Sequence, residues 1–200
     1  MSLTRLRLMR QAWEEQELRF ADPYAQQVFN ERYGRMTLNK ARSVTSFLNK
    51  DGYALDWLFA NNKNIQSFDE LRYFISLEWM NMTFRNCPNL AGTLIIPASV
   101  KAIGGACIFK TKLTGVEILA QNFKWNHGVI WECKQLKWVK MHSVEVPQKN
   151  TPNNQYPFDS QIMNNTWKLY VPDESVEKYR ADHNFQNLGD RIRPMSEFKG

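Results

Sequence analysis

The first third of the chain combines apolar and charged residues at helical spacing. Within residues 3–20, four apolar side chains recur at near-heptad intervals with charges between them, which predicts one helix with an apolar stripe. These side chains are Leu6, Met9, Trp13 and Phe20. Further helices are predicted wherever a capping residue can accept hydrogen bonds from the first free amides. One helix is predicted to begin at Asp22, before Pro23, and to end at Gly34. A second is predicted over residues 39–44 with Thr37 as its cap, and a third begins at a capping box formed by Ser67 and Glu70.

The apolar positions after residue 80 follow a longer period. An aromatic or aliphatic residue followed by Cys and then Leu, at three-residue steps, occurs at 84–90 and again at 130–136. The interval from Leu90 to Leu113 is 23 residues, and the interval from Leu113 to Leu136 is again 23. Self-similarity with a period of about 20–29 residues is typical of leucine-rich repeats.

Each repeat offers one short strand and a turn that returns the chain. No single repeat can bury its apolar side alone, so the repeats must stack. The last copy, at Trp167, arrives 31 residues after Leu136 because a polar stretch at 148–157 is inserted before it. We therefore expect one parallel sheet in chain order. Its strands are predicted at 94–96, 116–118, 139–141 and 169–171.

Three segments carry a resemblance to a known family. They are LIIPASVKAIG at 94–104, LYVPDESVEKY at 169–179 and IQSFDELRYF at 65–74. The first resembles the repeat of the BspA-like, or Treponema-type, leucine-rich-repeat proteins, and the second resembles the closing segment of such arrays. The third is similar to the lead-in of versions from gut Bacteroidetes and their phages. The resemblance covers about residues 43–195 and implies a curved solenoid, commonly of a surface adhesin or attachment protein.

The same resemblance bears on metal binding. In relatives the region before the repeats often looks like a calcium-binding loop followed by a helix, and the matching stretch here is 29–40. With Gly34 at the sharp turn, Phe29 and Lys40 stand where the first and last ligands would be. A calcium loop needs carboxylates at these positions. We therefore expect no metal and no cofactor.

The expected fold is α+β. It is a short leucine-rich-repeat solenoid of about four parallel strands, with a helical N-terminal arm and a C-terminal cap helix near 176–183. The predicted division is a helical arm at 1–42, a repeat domain at 43–172, and a C-terminal cap and tail at 173–200.

The side chains that alternate with the inward apolar residues of each strand should line the concave side of the sheet. Aromatic and basic groups standing side by side suit a ring, an acidic chain or a protein surface. The alternative is that Trp138 is packed by a neighbouring loop. The candidate binding residues are Glu117, Trp138, Lys140, His142, Lys168 and Tyr170.

Charge is uneven along the chain, whose net charge is +6. Residues 1–50 carry nine basic and five acidic groups, and residues 101–150 carry eight Lys against three Glu. A basic stretch either forms a solvated face or recruits an acidic partner. Nucleic acid is disfavoured, because the chain lacks the aromatic and basic platform of known single-strand binders.

Motifs of catalysis are not found in the sequence. There is no phosphate-binding GxxxxGK[ST] loop, no GxGxxG, no HExxH and no GxSxG. Cys87, Cys107 and Cys133 are spaced 20 and 26 residues apart without a CxxC pair, which predicts buried free thiols. Cys133 and His142 stand nine residues apart, as a catalytic pair would allow, but repeat positions account for both. We predict that the protein is not an enzyme.

The predicted function is a structural or binding module in a larger assembly, specifically a phage virion component of the tail, baseplate or fibre-attachment region. Two features motivate it: the N-terminus has no apolar run typical of a signal peptide, and its amphipathic stripe suits a docking arm. The predicted partners are proteins of the assembly, including further copies of the chain, with no membrane span. The alternative is a secreted or cell-surface adhesin of a Bacteroidetes bacterium that binds host protein or glycan.

Overall fold

The computed structural model describes residues 2–48, 51, 56–126, 128–150, 156–158 and 166–199 of the chain. Helices lie toward the two ends and parallel strands fill the middle, so the fold is α+β as expected. The α-helices are α1 (Leu3–Glu14), α2 (Pro23–Tyr33), α3 (Leu38–Ser43) and α4 (Val176–Ala181). Short 3-10 helices occupy Asp69–Tyr73, Asp173–Ser175, Gln186–Arg191 and Met195–Glu197. Of the helices in the described ranges, none combines the length and the apolar composition that a membrane crossing needs.

Twelve strands in the described part of the chain form three parallel sheets. They are β1 (Trp79–Met80), β2 (Phe84–Arg85), β3 (Ala91–Ile96), β4 (Ala102–Ile103), β5 (Ile108–Phe109), β6 (Lys112–Ile118), β7 (Lys124–Trp125), β8 (Ile130–Trp131), β9 (Trp138–Met141), β10 (Gln148–Lys149), β11 (Lys168–Val171) and β12 (Ile192–Pro194). The face sheet has the order β12-β11-β9-β6-β3. The side sheet has the order β1-β4-β7-β10, and the back sheet has the order β2-β5-β8.

The strand order of the face sheet confirms the prediction from the repeat spacing. Val116 of β6 pairs with Val139 of β9, and Val139 pairs in turn with Leu169 of β11, all in parallel. The 23-residue step from Val116 to Val139 and the 30-residue step that follows therefore each place the next strand beside the last. The C-terminal strand β12, which pairs with β11, is a fifth member that the sequence did not predict.

The three sheets enclose one hydrophobic core. Alternate residues of each face strand point into it, as in β9, where Val139 and Met141 are buried while their neighbours are half-exposed. Removing such side chains from water contributes about 1.5–3 kcal/mol each. Cys87, Cys107 and Cys133 are fully buried and are thiols rather than disulfide partners, which confirms that prediction.

The back sheet reveals a turn of the repeat that the sequence analysis missed. Residues 57–61 donate three parallel hydrogen bonds to the next turn, from Trp57 N to Asn81 O, Phe59 N to Thr83 O and Asn61 N to Arg85 O. Residues in the left-handed backbone conformation, with positive φ, form a corner before and after this segment and every later strand of the back sheet. These corners are Trp57, Met82, Ala106 and Gly128 before the strands, and Asn61, Asn86, Lys110 and Glu132 after them. This turn lies within the predicted repeat domain but before the first repeat that the 23-residue spacing identified.

The predicted helix over 3–20 is wrong in its second half. The helix α1 ends at Glu14, and the chain then runs extended, with Leu18 N donating to Met36 O at 2.8 Å. The ring of Phe20 leaves the stripe and stacks on Phe29 with centroids 4.3 Å apart. Burying Phe20 in the aromatic core outweighs the continuation of a solvated helix, because short helices gain most of their stability from packing.

Two predicted helix caps are confirmed. The carboxylate of Asp22 accepts from Tyr24 N at 2.8 Å and from Ala25 N at 3.2 Å, and Gly34 ends α2 with φ 64°. The hydroxyl of Thr37 accepts from Lys40 N at 3.2 Å at the start of α3. These side chains satisfy amides that lack a partner within the helix.

The predicted capping box at Ser67 and Glu70 is wrong. The segment forms a five-residue 3-10 helix that has no side-chain cap. The Ser67 amide instead donates to Asp22 Oδ2 at 3.0 Å, and Glu70 Oε1 accepts from Ala21 N at 2.9 Å. Both groups therefore connect the start of the repeats to the N-terminal helices. These contacts between residues distant in sequence form in place of the predicted capping box.

Candidate interaction surfaces

The face sheet brings five of the six candidate residues onto neighbouring strands. Glu117 pairs with Lys140, which pairs with Tyr170, while Trp138 pairs with Lys168 in the adjacent row. The sixth residue, His142, follows β9 directly, and its amide donates to Ile118 O at 3.0 Å. Lys168 is exposed and the other five are half-buried.

Three members of this surface, Glu117, Lys140 and His142, form one cluster centred on Glu117. Its Oε1 accepts from Lys140 Nζ at 3.1 Å and lies 2.7 Å from His142 Nε2. Burial by itself would raise the pKa of Glu117, but the hydrogen bonds from His142 and Lys140 bring that pKa below its ordinary value. Glu117 is therefore ionised at neutral pH and neutralises the positive charge of Lys140.

The indole of Trp138 fills the space beside Gly115. A Cβ placed on Gly115 would come within 2.2 Å of Trp138 Cζ2, so only glycine leaves room for the ring. Trp138 also contacts Phe198 from the C-terminal segment, with centroids 4.8 Å apart. Phe198 also contacts Tyr170 at 5.0 Å, and Lys140 Nζ lies 4.2 Å from its centroid. Trp138 is therefore packed by the C-terminal segment while it stays half-buried, and binding at this face stays a prediction.

The C-terminal segment is held over the face sheet by several bonds. Ser196 N donates to Asp173 Oδ1 at 3.0 Å, and Arg193 Nε donates to Glu197 Oε2 at 2.7 Å. Hydrogen bonds from Ser196 hold the pKa of Asp173 below its usual value. The sequence analysis missed Phe198, because one aromatic residue in a polar tail gives no local signal of its contact.

The second surface is α1, whose described side chains are all exposed. Leu6, Met9 and Trp13 lie on one side of the helix with Leu3, and they are 49%, 56% and 46% exposed. The guanidinium of Arg42 in α3 lies 4.8 Å from the ring of Trp13. Three of the four residues assigned to the docking arm therefore share one open stripe, and Phe20 does not belong to it.

A third surface is formed by one row of paired side chains across the back sheet. The sequence analysis assigned no role to this row. Arg85, Phe109 and Trp131 occupy equivalent positions on β2, β5 and β8. The rings of Phe109 and Trp131 are 5.8 Å apart, and the guanidinium of Arg85 lies 6.0 Å from the exposed ring of Trp57. The repeat period was the signal that could have found this row, since each member precedes a left-handed corner.

The reactive residue types are engaged in packing and hydrogen bonds. Burial raises the pKa of both Cys87 and Cys107 to about 12, which makes them poor nucleophiles at neutral pH. Cys133 Sγ lies 3.2 Å from Thr111 Oγ1, while His142 is hydrogen-bonded to Glu117. His127 lies outside the described residues. Among those that are described, no group of three or more metal-ligating side chains occurs.

Comparison with known proteins gives no family assignment. No protein-family model matches the chain, and no curated protein matches it. Functional inference therefore rests on the surfaces of the chain itself.

Proposed function

We propose that this protein is a leucine-rich-repeat solenoid that acts as a structural or binding module of a larger assembly, a tail, baseplate or fibre-attachment component of a phage virion. The solenoid is supported by three successive turns, β1–β3, β4–β6 and β7–β9, each of which supplies one strand to each of the three parallel sheets. The assembly role is supported by α1, a helix whose apolar stripe is about half exposed among the residues that the structure describes.

The observation that carries the proposal is the exposure of this stripe. A helix of only 12 residues is marginal in water on its own, because nucleation is costly and packing supplies most of its stability. Each large apolar side chain gains about 1.5–3 kcal/mol when it is fully buried. A partner surface that covers Leu6, Met9 and Trp13 therefore stabilises both the helix and the complex.

The charges beside the stripe indicate the chemistry of that partner. Arg5, Arg7 and Arg10 flank the apolar side chains within α1, and no acidic residue lies in its first turn. An apolar groove bordered by acidic groups complements this pattern. Binding rather than catalysis is further supported by the unreactive, buried thiols of Cys87 and Cys107.

The test deletes residues 2–14 and no more, because Leu18 and Phe20 belong to the core. The shortened protein should remain folded, with a Tm within about 2 °C of the full chain. It should nevertheless be missing from purified particles and appear in the culture supernatant, as measured by mass spectrometry. Incorporation at normal occupancy would reject the docking arm and favour a free-standing adhesin.

A single substitution sharpens the same test. Trp13→Ala should weaken docking by about 2 kcal/mol or more if the indole is a buried anchor of the complex. Trp57→Ala is the matched control, since Trp57 is 42% exposed and also lies near a guanidinium. Equal loss in both variants would show that general surface aromaticity, and not α1, governs incorporation.

A further inference from the structure

A groove with a volume of about 510 Å³ lies between α2 and the segment 58–64. One wall is a single face of the helix, formed by Tyr24, Gln27, Val28 and Glu31 at helical spacing. The opposite wall and floor come from the first turn of the repeat array, including Leu58, Phe59 and the asparagines that follow. The volume lies within the range of about 300–1,000 Å³ that small-molecule sites occupy.

The walls of this groove are fixed by hydrogen bonds that do not depend on a ligand. At one end, Asp22 Oδ2 accepts from Gln66 N at 2.6 Å, which fastens the array to the start of α2. Toward the other, Arg32 donates to Leu48 O at 2.9 Å. Between them, Asn62 Oδ1 accepts from Asn64 N at 2.9 Å, and Asn61 Oδ1 accepts from Asn86 at 3.0 Å. A preformed groove spares a ligand the cost of ordering the site.

The lining is rich in neutral hydrogen-bonding groups. Its amide side chains are Gln27, Asn61, Asn62 and Asn64. Gln27 already donates to Glu31 at 2.8 Å, and the side-chain oxygens of Asn61 and Asn62 already accept hydrogen bonds within the protein. The amide of Asn64 offers both a donor and an acceptor, and each of the other three keeps at least one N–H, which matches the hydroxyl oxygens of a sugar. The ring of Tyr24 is 37% exposed at this groove and offers an apolar surface with a polar tip.

The lining carries two cations, Arg32 and Lys63, and one carboxylate, Glu31. Since the guanidinium of Arg32 already donates to Leu48 O, Lys63 and Glu31 remain as one charge of each sign, which favours a neutral ligand over an anion. A purely apolar ligand is disfavoured as well, because it would leave the remaining amide N–H groups without partners. We propose that this groove binds a neutral saccharide of one or two rings. The site is separate from α1 and independent of the docking proposed for it.

Saturation-transfer NMR on the full chain tests this site with maltose, lactose, cellobiose and diacetylchitobiose, and with glucuronic acid as the acidic comparator. At least one neutral disaccharide should receive saturation from the protein. Tyr24→Ala and Asn64→Ala should each weaken its binding by about tenfold, or ~1.4 kcal/mol. Both side chains lie at the groove, and no hydrogen bond of either side chain is found within the described residues, so folding should be preserved.

Asn187→Ala is the matched control, because Asn187 is exposed and does not line the groove. It should bind as the unaltered protein does. Three results would overturn the proposal: no transfer to any neutral disaccharide, transfer to glucuronic acid alone, or unchanged binding in both groove variants. None of these results depends on whether α1 docks into a particle.

Discussion

The two ends of the chain place their apolar side chains in opposite environments. At the C-terminal end, Tyr179 and Phe185 are fully buried, and Phe198 lies against Trp138 and Tyr170 of the face sheet. At the N-terminal end, α1 directs Leu6 and its neighbours into solvent. The C-terminal end therefore contributes to the stability of the fold. The N-terminal helix contributes little, so a change there alters binding without altering folding.

The largest expected effect that separates the two ends comes from Phe185→Ala. Phe185 contacts Tyr179, Phe158 and Trp125 at centroid distances of 5.2, 6.1 and 6.4 Å. Removing the ring leaves a cavity and should lower the free energy of unfolding by about 3–5 kcal/mol, measured by urea denaturation. Leu8→Ala in α1, where Leu8 is exposed, should change it by less than about 0.5 kcal/mol. Similar losses of unfolding free energy in the two variants would show that α1 contributes as much to stability as the C-terminal end does.

An intermediate effect is expected from Gly115→Ala. The added methyl group must displace Trp138 from its place beneath Phe198, because its Cβ would lie 2.2 Å from the indole. Overpacking of this kind costs about 1–3 kcal/mol. Fluorescence of Trp138 in a variant with the other tryptophans replaced should shift toward that of a solvated indole. If stability and emission both stay unchanged, then the C-terminal segment does not depend on this contact.

The smallest expected effect is on the pH dependence of stability, through the Glu117 cluster. Because the pKa of Glu117 is lower in the folded protein than its ordinary value of 4.5, its contribution to stability is present above that value. The contribution is lost as the pH falls through the lowered pKa of the folded state. Glu117→Gln should remove this part of the pH dependence and cost at most about 1 kcal/mol at neutral pH.

The measurement for Glu117 is the free energy of unfolding of both proteins from neutral to acidic pH. The two curves should converge at low pH, where Glu117 is protonated in both the folded and the unfolded state. A constant gap between the curves at every pH would show that Glu117 acts through packing alone. Glu15→Gln is a suitable control, because Glu15 is exposed just beyond α1.

The sequence was most informative where one period governs the structure. The 23-residue spacing predicted the order of the face sheet because equal returns of the chain bring equal strands together. The first turn escaped detection because Asn62 stands where Cys87 stands in the next turn. Asn62 uses its side chain to form a turn with Asn64 N, whereas Cys87 is a buried thiol that reaches Phe59 O at 3.0 Å. The same backbone path is thus stabilised by an amide side chain in the first turn and by a thiol in the next.

The sequence was least informative where a residue acts through a distant partner. Glu70 has the right spacing for a helix cap, but its carboxylate is used by Ala21, 49 residues away. Phe20 has the spacing of a helical stripe, but Phe29 and Phe68 bury it. Strand alternation predicted that the candidate residues lie on neighbouring strands of one sheet, whereas the contact of Phe198 with Trp138 and Tyr170 depends on the path of the last strand β12. No local pattern encodes these long-range contacts.

The carboxylate of Asp22 has a consequence for how the molecule unfolds. It accepts from four amides, two at the start of α2 and two at Gln66 and Ser67. Breaking either pair leaves backbone donors without partners, which costs free energy, so we expect that neither side opens alone. We therefore expect α2 and the first repeat turn to unfold together, across the predicted domain boundary between residues 42 and 43. Local opening is expected at α1, whose described side chains are all exposed and whose amides should exchange with solvent before those of α2.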